Sequence, residues 1–463
     1  MKDPELQEGS TKKKLGAMQN PDIVQPLGME LPPVASMLMQ SLRSVGYTMA
    51  TALADIIDNS IAAEARIISI TLRPAPTSYV AIVDDGTGMD EPTLLASMRF
   101  GSRDPRDIRQ GMDLGRFGLG LKTASLSQCR RLTVVTTKDG HLSIARWDLN
   151  ACERHGSWWL ERPTENEIPG EPLATLKAQG HGTAVIWEDL DRMTNAGGEK
   201  AILEAADHLA LTFHRFLSGE IVGSFSILLN ERQLPAFDPF LEGHARGQSL
   251  HIETISLDGH SIIVSPFVLP FPAKLRPADM ERVGGRESLR TSHGFYIYRG
   301  GRLVVPGGWF RIVPADELIR LARIRVDIPV ELDHLWKVDI RKALAEPPPA
   351  LRPHLKRIVG DVTLRSRKVY THKGTPASDS ERIPLWQRHD LKDQGAAWRV
   401  NRSHPLVRLF VTSGGELPHA EALLRLLEEN LPIQDIHIHT SNDQPLAEAA
   451  VWDEREMEQL ADD

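Results

Sequence analysis

Long apolar runs are absent from this chain of 463 residues; none approaches the roughly 18 consecutive residues of a membrane span. Cysteine is scarce. Cys129 and Cys152 are the only two, too few for a disulfide framework or a thiolate-built zinc site, and a count at home in a reducing cytosol. Positive charge is not in excess either: Lys and Arg total 54 against 62 Asp and Glu, a formal net charge of -8. That balance excludes a polybasic protein that coats nucleic acid indiscriminately, so any DNA contact must come from a local patch. The first residues are polar and charged (Lys2, Asp3, Glu5, Lys12, Lys13, Lys14), without the apolar core of a secretory signal behind them. No internal repeat is visible. The expectation is a soluble, cytoplasmic protein long enough for two or three domains, each burying its own core.

What is present is organised in blocks. Residues 1–30 mix charge, Gly and Pro without periodicity and read as a flexible arm. From Ala35 to Ala65, Met37, Leu38 and Leu42 and then Leu53, Ile56, Ile57 and Ile61 recur at three-to-four-residue spacing, which predicts two helices broken near Gly46. Ile67–Leu72, Tyr79–Val83, Thr133–Thr137, His141–Leu149 and Thr183–Trp187 read as strands, with Lys138-Asp-Gly140 as a hairpin turn and residues 99–121 as a long Gly- and Arg-rich loop. Helices ahead of and between antiparallel strands predict an α/β (α+β) two-layer sandwich over residues 31–216, closed by a helix from Glu199 to Phe216. A second α/β domain is expected over 217–350, with strands at 224–230, 261–268, 294–298 and 324–328, a helix at 315–322 and a Lys-bearing turn at 337–342. A basic helix (Arg352, Lys356, Arg357, Arg365, Arg367, Lys368) and linker follow over 351–395, then a small C-terminal α/β region with an acidic tail over 396–463.

Four short segments carry the chemistry. Asp55 and Asn59 lie four apart in a predicted helix, so both project from one face and can act on one ligand. An amide oxygen suits magnesium shared with phosphates, and a carboxylate one turn away suits a base that orients and deprotonates water; a polar pair on a solvated helix face is the plain alternative. Asp84 closes a buried-type strand ahead of Gly86 and Gly88, where a carboxylate can accept from the adenine exocyclic amine and glycines let backbone approach a base; a ligand-free Asp-Gly turn has the same composition. Gly115, Gly118 and Gly120 lead into a helix that offers free amides to phosphates, with Lys122 as a point charge. The segment departs from a Walker A loop by the extra Leu121 and by lacking a parallel βαβ setting. Gly182-Thr183 opens a strand and says little alone.

In conjunction, Asp55-Ile-Ile-Asp-Asn59, Asp84-Asp-Gly-Thr-Gly88, Gly115-Arg-Phe-Gly-Leu-Gly-Leu-Lys122 and Gly182-Thr183 resemble the GHKL ATPases, named for gyrase, heat-shock chaperone, histidine kinase and MutL. The resemblance spans roughly residues 35–215 and implies the Bergerat ATP-binding fold with a glycine loop closing as a lid. It implies Asp55 as the catalytic base and Asn59 as the magnesium ligand through ATP. Asp84, with Gly86 and Gly88, takes the adenine; Gly115, Gly118, Gly120 and Lys122 form the lid; Thr183 gives a supporting contact near Asp84. Most hydrolytic members have Glu where this chain has Asp55, one methylene shorter, so slow turnover is expected.

The second domain narrows the resemblance. Gly294-Phe-Tyr-Ile-Tyr298, Gly301-Arg-Leu303 and Val338-Asp-Ile-Arg-Lys342 look like the transducer of MutL, gyrase and especially MORC ATPases, where a lysine reaches the γ-phosphate; Lys342 is the candidate and Lys337 the alternative. No histidine precedes His141, so a phosphoacceptor upstream of the ATPase unit is not available. The likeness is greatest to bacterial MORC-like and MutL-like ATPases and implies an ATP-gated homodimer acting in DNA manipulation or defence. DNA would be held by Arg99, Arg103, Arg106 and Arg109 or by the basic helix, and protein partners by the C-terminal region. A nucleotide-sensing scaffold with little hydrolysis and a heat-shock-type chaperone ATPase remain the alternatives. His437 and His439 lack a third ligand, and no structural metal is expected.

Overall fold

The computed structural model describes residues 31, 33–73, 78–101, 120–190, 195–314, 317–333, 335–336, 346–371, 385–391, 395–413, 424–425 and 427–428. Two helices, α1 (Ala35–Arg43) and α2 (Met49–Ala62), flank the expected break at Gly46, whose φ of 85° suits glycine. Thr48 caps α2. Its hydroxyl accepts from Thr51 N while the Thr51 hydroxyl accepts from Thr48 N, a reciprocal arrangement worth about 1 kcal/mol. The predicted stripe of Leu53, Ile56, Ile57 and Ile61 is buried.

The helices lie on an eight-stranded sheet built from β1 (Ile67–Arg73), β2 (Tyr79–Asp84), β3 (Cys129–Lys138), β4 (His141–Asp148), β5 (Leu160–Glu161), β6 (Gly182–Leu190), β7 (Ser226–Leu229) and β8 (Arg232–Gln233). Their order is β5-β4-β3-β6-β2-β1-β7-β8, with β1 and β7 parallel and the other neighbours antiparallel. Among the described residues six further helices belong to the same unit: α3 (Glu91–Met98), α4 (Gly120–Gln128), α5 (Leu149–His155), α6 (Gly170–Gln179), α7 (Asn195–Thr212) and α8 (His214–Leu217). Val80, Ile82, Leu132, Val134, Val185 and Trp187 share one core with α2, with Leu126 of α4 and with Leu209 of α7. The alternate residues Ala81, Val83, Val135, Ala184 and Ile186 meet Leu173 and Leu176 of α6 on the opposite face. This period-2 alternation sends Asp84, Thr136 and Thr183 to the side covered by α2.

A second, mixed sheet follows, formed by β9 (Gln248–Ser249), β10 (Glu253–Leu257), β11 (His260–Val268), β12 (Gly294–Arg299), β13 (Arg302–Pro306) and β14 (Ala322–Ile328), ordered β10-β11-β14-β12-β13 with β9 on β11. Two short helices, α9 (Pro277–Arg282) and α10 (Gly285–Thr291), precede β12. The basic helix α11 (Arg352–Thr371) buries Leu355, Ile358, Val359 and Val362 against this sheet and leaves Arg352, Lys356, Arg357, Arg365, Arg367 and Lys368 exposed. Arg357 is paired with Glu253. A hairpin of β15 (Trp386–Leu391) and β16 (Gly395–Val400) and a helix α12 (Pro405–Ser413) come last. Among the described residues no helix is long and apolar enough to cross a membrane.

Several expectations are corrected. The first sheet does not end at residue 216, because β7 and β8 extend its β1 edge. The helix expected at 315–322 is, in its described part, a single 3-10 turn at Glu317–Ile319, and Ala322 already belongs to β14, which is paired on both sides by β11 and β12. Strand β15 lies inside the expected linker. Helix α3 was not expected at all. The arm at 1–30, the strand expected at 433–439 and the acidic tail lie outside the described residues.

The two sheets meet through a polar joint. His214 Nε2 and the Tyr298 hydroxyl stand 2.7 Å apart, and Arg215 pairs with Asp327 of β14 and, at 2.6 Å, with Glu220. Burial, aided by the charges of Arg215 and Arg325, pushes His214 down from 6.5 to about 3. As pH falls below 6.5 the unfolded chain takes up a proton at this residue that the folded chain refuses, so stability declines from about 6.5 toward 3. The slope from this group is about 1.4 kcal/mol per pH unit at most. His214→Gln should flatten the acid limb of a plot of Tm against pH, and an unaltered limb would assign acid sensitivity to other groups.

Candidate functional site

One helical turn separates Asp55 from Asn59, yet their surroundings differ: Asp55 is 2% exposed, whereas Asn59 is open. The Tyr47 hydroxyl, just ahead of α2, donates to Asp55 Oδ2 at 2.8 Å. Asp58, three residues on, is also buried and meets Arg302 of the second sheet, Nε to Oδ1 at 2.9 Å; Arg302 Nη2 lies 3.8 Å from Asp55 Oδ1. A carboxylate pair on one face of a helix is therefore matched by a guanidinium from elsewhere in the chain.

Two residues beyond Asp58, Ser60 ties α2 to the sheet. Ser60 donates to Asp84 Oδ2 at 2.7 Å, while Gly86 N and Thr183 N donate to Asp84 Oδ1 at 3.0 and 3.1 Å. Burial raises the pKa of Asp84, opposed by these three hydrogen bonds. The turn after Asp84 is docked on the end of α2, where Thr87 N donates to Ala63 O at 2.9 Å. The glycines of this turn and at the start of β6 answer to tight backbone packing. At Gly88 (φ 65°) a Cβ would stand 2.1 Å from Thr137 O, and at Gly182 (φ 112°) 2.0 Å from Asp84 O. Thr183 is the cross-strand partner of Asp84, and its hydroxyl lies 3.2 Å from that of Thr136, which accepts from Met89 N at 2.8 Å.

Gly120 opens α4, and a Cβ built on it would lie 3.9 Å from Asp55 Oδ2, so the N-terminus of α4 faces the carboxylate end of the site. Lys122, expected as a point charge for phosphates, is buried, and Nζ donates to Ser97 O at 2.6 Å near the C-terminal end of α3. Arg99 is exposed. Gly115, Gly118, Arg103, Arg106, Arg109, Lys337, Lys342, His437 and His439 lie outside the described residues.

Asp55, Asn59, Asp84, Gly86, Gly88, Gly120 and Thr183 thus come from four separate segments to one end of the sheet, joined by Ser60. Sequence reasoning missed Tyr47, Asp58, Ser60, Thr136 and Arg302. Asp58 and Ser60 flank Asn59 and were within reach of helical spacing; Tyr47, Thr136 and Arg302 depend on contacts the local sequence does not signal. Among the described residues no three His, Cys, Asp or Glu side chains gather as a metal cage. One open amide oxygen beside buried carboxylates fits a magnesium ion that takes most of its ligands from phosphates and water.

The sequence model of the family described as histidine kinase-, DNA gyrase B- and HSP90-like ATPases matches residues 47–183, the stretch from Tyr47 to Thr183. A curated relative, ATPase morc-1 of Caenorhabditis elegans, is 31% identical over 110 residues, which cover 23% of this chain and 12% of that protein. The chain therefore matches about an eighth of that relative's length. Residues 47–183 carry a GHKL-type ATPase domain with the Bergerat ATP-binding fold, followed by a mixed sheet and further helices.

Proposed function

We propose that this GHKL-type domain binds ATP with magnesium and hydrolyses it slowly, and that nucleotide binding gates homodimerisation in the service of DNA manipulation or defence. The observation that supports the reading is the hydrogen bond from Ser60 to Asp84, which ties α2, the helix carrying Asp55 and Asn59, to the end of β2, where Thr183 of β6 pairs with Asp84. In it Asp84 accepts from the adenine amine, with Gly86 and Gly88 shaping the turn and Thr183 fixing the carboxylate. Asn59 would hold magnesium, which neutralises phosphate charge when bound. The amides at Gly120, with Gly115 and Gly118, receive phosphate oxygens, and Lys122 secures the base of that loop. Asp55 accepts a proton from the attacking water, and Lys342 reaches the γ-phosphate. DNA contact falls to Arg99, Arg103, Arg106 and Arg109 or to the exposed face of α11, through phosphates and therefore with strong salt dependence.

A second reading, a nucleotide sensor with negligible turnover, is favoured by the burial of Asp55 and its bond to Tyr47, which leave a short carboxylate little freedom to follow an attacking water. Light scattering of the purified chain with a non-hydrolysable ATP analogue, run beside phosphate release from ATP, tests both. The expected result is a doubling of mass with the analogue and slow but saturable phosphate release. A monomer throughout, with no nucleotide bound, overturns the proposal; dimerisation without release selects the sensor.

A further inference from the structure

Arg302, the first residue of β13, reaches from the second sheet to helix α2 of the first unit. It follows the turn Gly300-Gly301 between β12 and β13, where both glycines have positive φ (55° and 83°). The turn is pressed against the first unit so closely that a Cβ on Gly301 would stand 2.9 Å from the Ile221 side chain. A shift of register between Ile297 and Tyr298 lies just upstream. The result is a guanidinium only 3% exposed, lying 5.8 Å over the Phe213 ring and between the buried carboxylates of α2. The contact to Asp58 is an ion pair rather than an aligned hydrogen bond. The neighbouring Arg299 turns the other way, to Asp333 within its own unit at 2.6 Å.

We infer that Arg302 is a positioning residue for hydrolysis, through which the placement of the second sheet sets the orientation of Asp55. A buried arginine between two acids has to be paired wherever it sits, and one anchored at the tip of a hairpin moves with that hairpin. Asp55 has Tyr47 on one oxygen and Arg302 beside the other. Any rotation of the second sheet about the joint therefore shifts one of the contacts that aim the carboxylate, and a misplacement of about 1 Å costs about 100-fold in rate. The inference rests on the proposed ATPase reading and adds to it a coupling element distinct from the lysine expected at 342.

The test compares wild type with Arg302→Lys, which keeps a positive charge for the acids but loses the planar fork that reaches both. Asp58→Asn removes the other anchor and serves where the lysine variant does not fold. Either variant is expected to lower kcat about 10- to 100-fold while KM and analogue affinity stay within about threefold. Amide hydrogen exchange in α2, measured without nucleotide, should quicken while β3 and β6 stay protected. An unchanged kcat in a folded variant overturns the inference, as does a fall in binding that matches the fall in kcat. If wild type binds no ATP, the ATPase reading fails, and the exchange of α2 still decides: faster exchange upholds the clamp as a structural link, and unchanged exchange removes it.

Discussion

Asp55→Asn is expected to cut phosphate release in a single turnover by about 100- to 10,000-fold, the usual contribution of a positioned general base. Nucleotide affinity should stay within about threefold. The separation follows from geometry. Asparagine has the shape of aspartate, so its oxygen can face Arg302 while its NH2 donates to Tyr47, whose hydroxyl turns from donor to acceptor across the present 2.8 Å contact. Arg302 keeps Asp58 at 2.9 Å as its counter-charge, so the exchange does not strand a buried cation. What disappears is the capacity to take a proton from water. Phosphate release at the wild-type rate by a well-folded Asp55→Asn chain would mean that the water is activated elsewhere. Asp55→Glu probes reach: the added methylene must be housed where the side chain is almost wholly enclosed, so its outcome depends on whether Tyr47 yields.

The parts legible in the sequence are those fixed by local periodicity. The α2 stripe placed Leu53, Ile56, Ile57 and Ile61 inside because an amphipathic helix has one solution for such a pattern. Asp139 (φ 51°) and Gly140 (φ 77°) adopt the positive-φ pair that the hairpin turn demands. The signal for α3 lies in its first turn: Asp90 accepts from Thr93 N as an N-cap, and Pro92 follows it. The failed helix at 315–322 shows the reverse. Leu318, Ile319, Leu321 and Ala322 carry a helical spacing, but the demand for a strand between β11 and β12 claims Ala322. The parallel pairing of β7 with β1 joins residues far apart in the chain, which no local pattern announces. At the candidate site each segment says little alone, and it is their order along the chain that singles the residues out. The contacts that orient them, from Tyr47, Ser60 and Arg302, were not legible, because a hydroxyl or guanidinium has no pattern of its own.

Asp84→Asn should weaken ATP binding about 10- to 150-fold, equivalent to about 1.5 to 3 kcal/mol. Asp84 accepts from the Ser60 hydroxyl and from two backbone amides, Gly86 N and Thr183 N. An asparagine oxygen placed on the two amides preserves the turn, and its NH2 then points toward Ser60 and the base. Ser60 can turn its hydroxyl and accept from that NH2, but the adenine amine, itself a donor, now meets a donor. Binding of ATP should suffer while the fold persists, measured as a titration of an ATP analogue beside a thermal melt. Guanine, with an acceptor at the same edge, should lose less, so the ratio of ATP to GTP affinity is the sharper readout. Acid gives an independent check. Burial raises the pKa of Asp84, so the carboxylate should protonate, and ATP affinity fall, at a higher pH than an ordinary aspartate would require. The Asn variant, having nothing to titrate there, should show a flatter profile over the same range. Equal losses for ATP and GTP, with a pH profile identical to wild type, would move the base-recognition role to another acceptor.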